Sequence, residues 1–336
     1  MRAFAAAGRV LPGLLLCAAL AAGAFLLASL RPIRDSLHLS PLLLVILLGM
    51  LWRSALHAPP WAGDGIRMAQ RPVLRWAVAG LGFRLSLPEL VRIGAPALAV
   101  VVVSTAAALA FGVWIARRLG VAEKLGILLG VGGAVCGASA VVAADTVVRG
   151  DKRDAPLALG VITLLGTIGI VAYPPLGRVA GMSDFLYGVW DGASLHEMAQ
   201  VVAAGFGVSE EAARVATVVK LARICLLAPI VLGLGWWLRR RSREVGEAHV
   251  SVVPWFLVAF LAFAGVNSSG LLPEPTLATL RRADLWLLCV GMAGVGLQTG
   301  FRDLREAGWR PVAAGAAQWG VLAAVSYLLA RILCGP

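Results

Sequence analysis

Residues 125–148 read LGILLGVGGAVCGASAVVAADTVV, a stretch long enough to cross a membrane that has glycine at its centre. Gly130, Gly132, Gly133 and Gly137 all fall in its middle part. Because each glycine costs about 1 kcal/mol relative to alanine in a helix interior, four of them predict a helix break near the bilayer midplane. A break at this depth exposes backbone N–H groups whose partial positive charge attracts an anion. Close GxxxG-type packing, from Gly133 to Gly137, is an equally good interpretation.

The rest of the chain has the composition of a membrane protein. Of its 336 residues 60% are hydrophobic and 14% are charged, with a mean hydropathy of +0.85, which excludes a water-soluble globular domain. We predict an all-α membrane protein with one polytopic domain over residues 1–336, located in a bacterial inner membrane. Apolar runs place about ten or eleven transmembrane helices at roughly 10–30, 37–52, 76–83, 94–116, 125–148, 155–176, 185–206, 212–238, 252–270, 285–299 and 311–330. Residues 53–75, with four arginines and the pair Pro59-Pro60, read as an interfacial connector.

The net charge of +12 is explained by membrane topology rather than by nucleic-acid binding. Most lysines and arginines stand between apolar runs, as the positive-inside rule requires. The densest cluster, Arg239 to Arg243, predicts a cytoplasmic loop, with the N-terminus on the same side. The five cysteines show no metal-binding or disulfide spacing, and no Walker A motif is present, so we predict no cofactor and no metal.

Two internal echoes favour a transporter, because many secondary transporters are built from repeats. The third span matches the tenth at an offset of 214 residues, and seven intervening steps predict an inverted pair. The matched residues are Gly80 with Gly294, Glu89 with Asp303, and Gly94 with Gly308. A looser echo relates Val141–Ala144 to Val201–Ala204, and the span count makes this second pair parallel. Either the count or the second echo must then be misleading.

The segment from Gly188 to Gly205 concentrates polar residues within a predicted span. Its members Asp191, His196, Glu197 and Gln200 are too many for a lipid-facing helix, so they should face the bundle interior or a water-filled cavity. The spacing differs from the HExxH zinc motif, since Gln200 stands where the second histidine would be. Hydrogen bonds between helices are the alternative interpretation.

Lys220 and Arg223 place two cations inside the eighth predicted span. A charge at the bilayer centre costs at least about 3 kcal/mol, so a compensating partner is expected. The candidates are Glu197, Asp191, Asp145 or a bound anion. We expect at least one of the two cations to stay open to solvent or substrate, in the same cavity as the glycine break. Snorkelling to a membrane face or a structural ion pair are the alternatives.

Three runs resemble the YeiH-type sulfate exporter family, and the resemblance covers the chain from about Leu39 onward. The runs are VCGASA at 135–140, HEMAQVVAAG at 196–205, and Lys220 and Arg223 followed by Leu227-Ala228-Pro229, with the Leu-Gly segments at Gly80 and Gly294 in addition. The resemblance implies a multi-pass inner-membrane protein that exports a small anion, with a fold akin to bile-acid symporters and sodium/proton antiporters. These residues do not distinguish sulfate from sulfite or a sulfonate.

The leading hypothesis is a secondary transporter for a small anion, with protons as a coupling ion. The predicted substrate-binding residues are Gly132, Gly133, Cys136, Gly137, Ser139, Lys220 and Arg223. The predicted proton or ion coupling residues are His196, Glu197, Asp191, Gln200 and Asp145. A cation/proton antiporter and a non-transporting membrane scaffold or receptor are the alternatives. We do not expect an enzyme. Partners are the solute, protons and the lipid bilayer, and a homodimer is left open.

Overall fold

The computed structural model describes residues 2–30, 40–56, 59–241, 255–298 and 308–334, which are helical with short connections and contain no strand. The predicted all-α class is confirmed. The helices are α1 (Arg2–Ser29), α2 (Pro41–Leu56), α3 (Gly63–Met68), α4 (Leu74–Gly80), α5 (Leu87–Arg118), α6 (Glu123–Ala134), α7 (Ala138–Val148), α8 (Asp154–Val179), α9 (Asp184–Ser194), α10 (Met198–Phe206), α11 (Glu210–Cys225), α12 (Leu227–Arg241), α13 (Trp255–Ser268), α14 (Glu274–Gln298) and α15 (Trp309–Leu333). Single-turn 3-10 helices, Pro60–Ala62 and Leu81–Arg84, and a π-helical turn, Ala69–Val73, flank α3 and α4.

The chain forms two compact units. The first contains Met1–Leu90 and Trp255–Arg302, and the second contains Val91–Pro254 and Asp303–Pro336. The single domain predicted over residues 1–336 stays a prediction. Within the described ranges, five helical segments are long and apolar enough to cross a membrane, namely Arg9–Ser29, Pro96–Arg118, Asp154–Val179, Glu210–Leu238 and Trp309–Leu333.

Helices of the first unit approach one another closely at glycines. A Cβ atom on Gly65 would lie 2.5 Å from Gly13 Cα, and one on Gly49 would lie 2.9 Å from Gly296 Cα. Small residues at such crossings are typical of membrane proteins, where van der Waals packing drives helix association. The predicted interfacial connector, residues 53–75, is largely helical and packs on α1 through Gly65.

In the second unit, α6 and α7 form a helical hairpin, called hairpin 1. The ammonium of Lys124, at the start of α6, donates a 2.7 Å hydrogen bond to the carbonyl of Arg149, just beyond α7. A continuous helix would hold these two residues about 37 Å apart. Near the turn, a Cβ on Gly132 would lie 2.5 Å from the Val141 side chain. Hairpin 1 therefore enters and leaves at one end of the unit.

Helices α9 and α10 form a second such element, hairpin 2. The phenol of Tyr187, near the start of α9, donates a 3.3 Å hydrogen bond to the carbonyl of Ala204, near the end of α10. A continuous helix would separate these residues by about 25 Å. Helix α11 runs parallel to α9 and antiparallel to α10, as its contacts show. They are Gly188 with Val215, Gly192 with Val219, and Gly205 with Ala213.

The two hairpins enter the unit from opposite ends. Helix α8 begins where hairpin 1 ends and finishes where hairpin 2 begins. Partway along α8, Ile162 meets Gly132 near the tip of hairpin 1, and Thr163 bonds Glu197 at the tip of hairpin 2. The α11–α12 segment then runs back, and its Gly235 packs on Val147 near the open end of hairpin 1. The two tips consequently meet inside the unit.

The two segments of the looser sequence echo lie at matching places in the two hairpins. Helix α7 begins three residues before Val141, and α10 begins three residues before Val201. Only α8 runs across the unit between the two hairpins, so the two copies point in opposite directions instead of the parallel arrangement that the span count gave. Residues 125–148 and 185–206 were each predicted as one span, and each is a hairpin.

The longer repeat stays a prediction. Asp303 lies outside the described residues, and so does its match to Glu89. Gly94 lies inside α5, whereas Gly308 precedes α15 with a φ of 75°. This third pair is therefore not equivalent in local structure. Of the basic cluster that starts at Arg239, α12 includes the first three residues, and the last two lie outside the described residues.

Cross-linking tests hairpin 1 directly. We expect cysteines at Lys124→Cys and Arg149→Cys to be joined in high yield by a short bifunctional maleimide, because both positions lie at the open end of the hairpin. Lys124→Cys paired with Cys136 at the tip is the control and should not react, because α6 separates them by about 18 Å. Mass spectrometry of proteolytic fragments measures both yields. Failure of the first pair in folded protein would restore a through-going helix.

Candidate functional site at the hairpin tips

Each hairpin tip presents the carboxyl end of one helix and the amino end of the next. In hairpin 1, α6 ends at Ala134 and α7 begins at Ala138, so the predicted helix break is confirmed. Gly137 adopts a φ of 67° and a ψ of −121°, a conformation that side-chain-bearing residues avoid. A Cβ at Gly137 would lie 2.6 Å from Cγ of Glu197, so the two tips are in contact.

Lys220 bonds to the carboxyl ends of both hairpin helices. Its Nζ donates to the carbonyls of Val135 at 2.9 Å, Leu195 at 2.7 Å and His196 at 2.6 Å. Three acceptors match the three N–H donors of an ammonium group. Lys220 therefore caps α6 and α9 simultaneously and joins the two tips.

Arg223 repeats this arrangement one turn further along α11. Its Nε donates to Ala134 at 2.7 Å, and its terminal nitrogens donate to Gly133 and Leu195 at 2.8 Å each. The carboxyl end of a helix carries about half a negative charge, so two such ends supply roughly one unit of compensation for the two cations. The compensating partners expected for these two cations are therefore backbone carbonyls rather than carboxylates.

Both cations are fully buried, with no exposed surface on either residue. The expectation that one of them stays open to solvent is wrong. The reason for their burial is geometric, because the broken helices leave several carbonyls without intrahelical donors and the two cations donate to these carbonyls. Among the described residues, no carboxylate lies within ion-pair distance of Lys220 or Arg223. The predicted salt bridges to Glu197, Asp191 or Asp145 are therefore absent from this part of the chain.

Glu197 occupies the amino end of α10. It is the N-cap residue and forms a capping box with Gln200, whose Oε1 accepts a 2.9 Å hydrogen bond from the Glu197 backbone N–H. Thr163 of α8 donates its hydroxyl to Glu197 Oε1 at 2.7 Å, and the Thr163 carbonyl accepts from Gln200 Nε2 at 3.1 Å. Gly166 leaves the space that the Gln200 amide fills. A carboxylate is thereby fixed at a positive helix end.

The amino ends of α7 and α10 are the accessible part of the tips. Ser139 is exposed, and Ala138, Glu197 and Met198 are half-buried. The carbonyl ends opposite them are covered by the two cations. A solute that reaches the tips would therefore meet backbone N–H groups rather than carbonyl oxygens.

Asp191, near the end of α9, and His196, in the turn at the tip of hairpin 2, are both buried. Neither carboxylate oxygen of Asp191 has a hydrogen-bond partner among the described residues, and Nδ1 of His196 has none either. A polar network surrounds this region, in which Tyr173 donates to Ser194 at 3.0 Å and accepts from Trp319 at 3.1 Å. Unsatisfied buried polar atoms are costly and uncommon in native proteins, so these three atoms are candidates for a functional role.

The remaining predicted site residues pack against, or hydrogen-bond to, neighbouring parts of the second unit. Gly132 faces Ile162, and Gly133 faces the amide of Gln318, which donates to the Gly130 carbonyl at 2.7 Å. Cys136 is buried within the turn. Asp145 lies near the open end of hairpin 1, where its carboxylate accepts a 3.0 Å hydrogen bond from the Gly150 backbone, so the structure does not bring it to the tips.

Sequence reasoning missed the second interruption and several supporting residues. The signal for the interruption was the Glu197 to Gln200 spacing, which matches the spacing of a capping box. Thr163 carries no such signal, because its role depends on contact across the unit. In the first unit, Asp284 is buried beside Gly80 with Arg84 Nε at 3.9 Å, and this pair was not singled out either.

Comparison with known proteins gives the family and leaves the solute open. The family model described as "Conserved hypothetical protein 698" matches residues 12–315. A UPF0324 membrane protein of Bordetella pertussis is 36% identical over 314 residues, covering 91% of this chain and 90% of that protein. Relatives with the same description in Bacillus cereus and Pseudomonas putida are 34% and 36% identical, covering 87% and 91% of this chain and 84% and 88% of those proteins.

These descriptions state that the relatives are membrane proteins and name no substrate. No solved structure matches the chain. The helical architecture and the long apolar segments agree with a membrane location. The chain belongs to the family described as "Conserved hypothetical protein 698", and its relatives in Bordetella, Bacillus and Pseudomonas are UPF0324 membrane proteins.

Proposed function

We propose that this protein is a secondary transporter that moves a small anion across the bacterial inner membrane. The observation that carries the proposal is the polarity of the hairpin tips. Their negative carbonyl ends are sealed by Lys220 and Arg223, whereas their positive amino ends are accessible. Irregular backbone at membrane depth is tolerated where it is buried in protein or lines a cavity, and half-helix amino ends in transporters face anionic groups.

The anion site lies at the first turns of α7 and α10. The N–H groups at the start of a helix have no intrahelical acceptor, so Ala138 and Ser139 on one side and Met198 on the other can donate to an oxyanion. The Ser139 hydroxyl adds a donor. Gly137 lets the two tips approach closely. In this arrangement Lys220 and Arg223 hold the tips together and act on the substrate only through them.

Glu197 links anion binding to a proton. Its carboxylate already occupies the amino end of α10 as a tethered anion, so it competes with a substrate for the same partial charge. Protonation of Glu197 removes that competition. The proton and the anion then bind together and move in the same direction. An inward proton gradient drives anion uptake by this route, whereas the export implied by the resemblance requires the anion's own outward gradient. His196, Asp191 and Gln200 supply the surrounding polar path.

Transport in reconstituted vesicles tests the proposal. Uptake and efflux of labelled sulfate, sulfite and simple sulfonates are measured with and without a pH gradient. We expect Ser139→Asp to weaken the apparent affinity roughly tenfold or more, because a fixed negative charge then stands where the anion binds. The fold should survive, since Asp is favoured in the first turn of a helix.

Ser139→Asn is the matched control, with similar size and no charge, and should retain transport. Thr146→Asp is a second control, because it is exposed on the same helix but two turns from the tip. Equal transport by Ser139→Asp and Ser139→Asn would contradict an anion site at α7.

The coupling role of Glu197 gives a separate prediction. Glu197→Gln keeps the hydrogen-bonding shape of the side chain but carries no charge and takes up no proton. We expect anion exchange without a pH gradient to continue, and stimulation of net transport by a pH gradient to be lost. Flux measured at several imposed pH gradients separates anion exchange from proton-stimulated net transport. Unchanged stimulation in Glu197→Gln would assign the coupling proton to another group.

A cation/proton antiporter is the second candidate, and Asp191 favours it. Its carboxylate is buried and has no hydrogen-bond partner among the described residues, as a residue that exchanges a cation for a proton could be. Sodium and potassium fluxes in the same vesicles decide between the two. Cation flux that Asp191→Asn abolishes, with no anion flux in any variant, would replace the leading proposal.

A further inference from the structure

One end of the second unit carries most of its basic residues. This end holds the C-termini of α5 and α12, the open end of hairpin 1 and the N-terminus of α15. Contacts join these elements, because Lys124 bonds the Arg149 carbonyl and Arg310 reaches Gly120. All four long apolar segments of the unit begin or end here. We call this end the basic face.

Three arginines on the basic face lie over tryptophan rings. The guanidinium carbons of Arg118, Arg240 and Arg310 are 5.5, 3.7 and 5.7 Å from the ring centroids of Trp114, Trp236 and Trp309. The tryptophans are 49%, 59% and 68% exposed, and the arginines are exposed as well. Each tryptophan stands within the last or first turns of a long apolar segment, the depth at which indole rings meet lipid headgroups.

These guanidinium groups are available to a ligand. Two neighbouring basic residues are engaged, since Arg117 pairs with Glu123 at 2.9 Å and Lys124 bonds a carbonyl. By contrast, Arg118, Arg240 and Arg310 have no hydrogen bond or ion pair within residues 59–241, 255–298 and 308–334. A cation–π contact orients the guanidinium without using its N–H donors, which fit a phosphate in a bidentate manner.

We infer that the basic face lies on the cytoplasmic side of the membrane and that its three Arg–Trp pairs bind the headgroups of anionic phospholipids. The opposite end has no comparable excess, because Asp184, Glu210 and Glu211 there offset its few arginines. Anionic lipid of the cytoplasmic leaflet attracts basic residues near its surface, and positive residues favour that side during insertion. Hairpin 1 then opens to the cytoplasm and hairpin 2 to the other side. The inference does not depend on which solute is transported.

Lipid selectivity tests the binding. Full-length protein is reconstituted in brominated phosphatidylglycerol or brominated phosphatidylcholine, and quenching of tryptophan fluorescence gives the relative binding constant. We expect a preference for phosphatidylglycerol that weakens roughly fivefold for each of Arg118→Gln, Arg240→Gln and Arg310→Gln. Arg331→Gln, an exposed arginine at the other end of α15, is the control and should keep the preference.

Equal quenching by both lipids in the wild type, or equal loss of preference in Arg331→Gln, would overturn the lipid assignment. Cysteine labelling tests the orientation in intact cells. In a Cys225→Ser background, an impermeant maleimide should label Cys334 from outside but should label Lys152→Cys, which is exposed on the basic face, only after permeabilisation. Labelling of Lys152→Cys in intact cells would overturn the orientation.

Discussion

Arg223→Met is expected to lower the unfolding midpoint of the detergent-solubilised protein by roughly 10 °C. The substitution keeps an unbranched apolar stem and removes three hydrogen bonds to the carbonyls of Gly133, Ala134 and Leu195. The carbonyls of Gly133 and Ala134 would stay buried and unsatisfied, at about 1–3 kcal/mol each before relaxation, whereas the Leu195 carbonyl keeps its bond from Lys220. Lys220→Met should behave similarly, because it frees carbonyls in the same two hairpins.

Tryptophan fluorescence during heating measures the midpoint, and Arg331→Met at an exposed site is the control. A protein that melts normally but has lost transport would show that Arg223 contacts the substrate rather than holding the tips. The double variant Lys220→Met with Arg223→Met should cost more than the sum of the single changes, because each single variant leaves the Leu195 carbonyl bonded to the other residue and only the double variant frees it.

Gly137→Ala is expected to destabilise the protein by about 3 kcal/mol and to abolish transport. Backbone strain and a steric clash contribute independently to this loss of stability. The backbone conformation at Gly137 is strained for any residue with a side chain, and the added Cβ would lie 2.6 Å from Glu197 Cγ. Relief of the clash must move Glu197 away from Thr163, which disturbs the amino end of α10.

Gly160→Ala is the matched control, since it lies inside α8 with no atom within 4 Å of an added Cβ. This change should be neutral or stabilising by up to about 1 kcal/mol, because alanine is the better helix former. Equilibrium unfolding in denaturant compares the two variants. Equal stability of Gly137→Ala and the wild type would mean that the tip of hairpin 1 does not adopt the described conformation.

Composition and glycine content predicted the membrane class and the position of the first helix break. They did not predict that the chain turns back there. A run of 24 apolar and small residues, 125–148, suits one span or two half-length helices equally well, and the deciding contact is a lysine with a carbonyl 25 residues away. The second break was harder to see, because Leu195 and His196 are ordinary helix residues and the interruption depends on contacts with α8 and α11.

Sequence reasoning identified several residues of the candidate site but did not predict how they contact one another. The sequence placed Lys220 and Arg223 beside the glycine break because uncompensated charge in a membrane is costly. It assigned them carboxylate or substrate partners, since a backbone carbonyl has no sequence signature. The acidic candidates show the same limit. Glu197 is at the tips and Asp145 is not, although both lie in apolar runs.

The two hairpins impose an order on biosynthesis. Each half-helix of hairpin 1 has 11 or 12 residues, about 18 Å, which is too short to cross a bilayer alone. The carbonyls at the end of α6 accept hydrogen bonds from Lys220 and Arg223, which leave the ribosome more than seventy residues later. Until then the first hairpin has no stable place in the lipid, so it must wait at the membrane surface or inside the insertion machinery. A nascent chain that stops before α11 should remain protease-sensitive in this segment, and one that includes Arg223 should become protected.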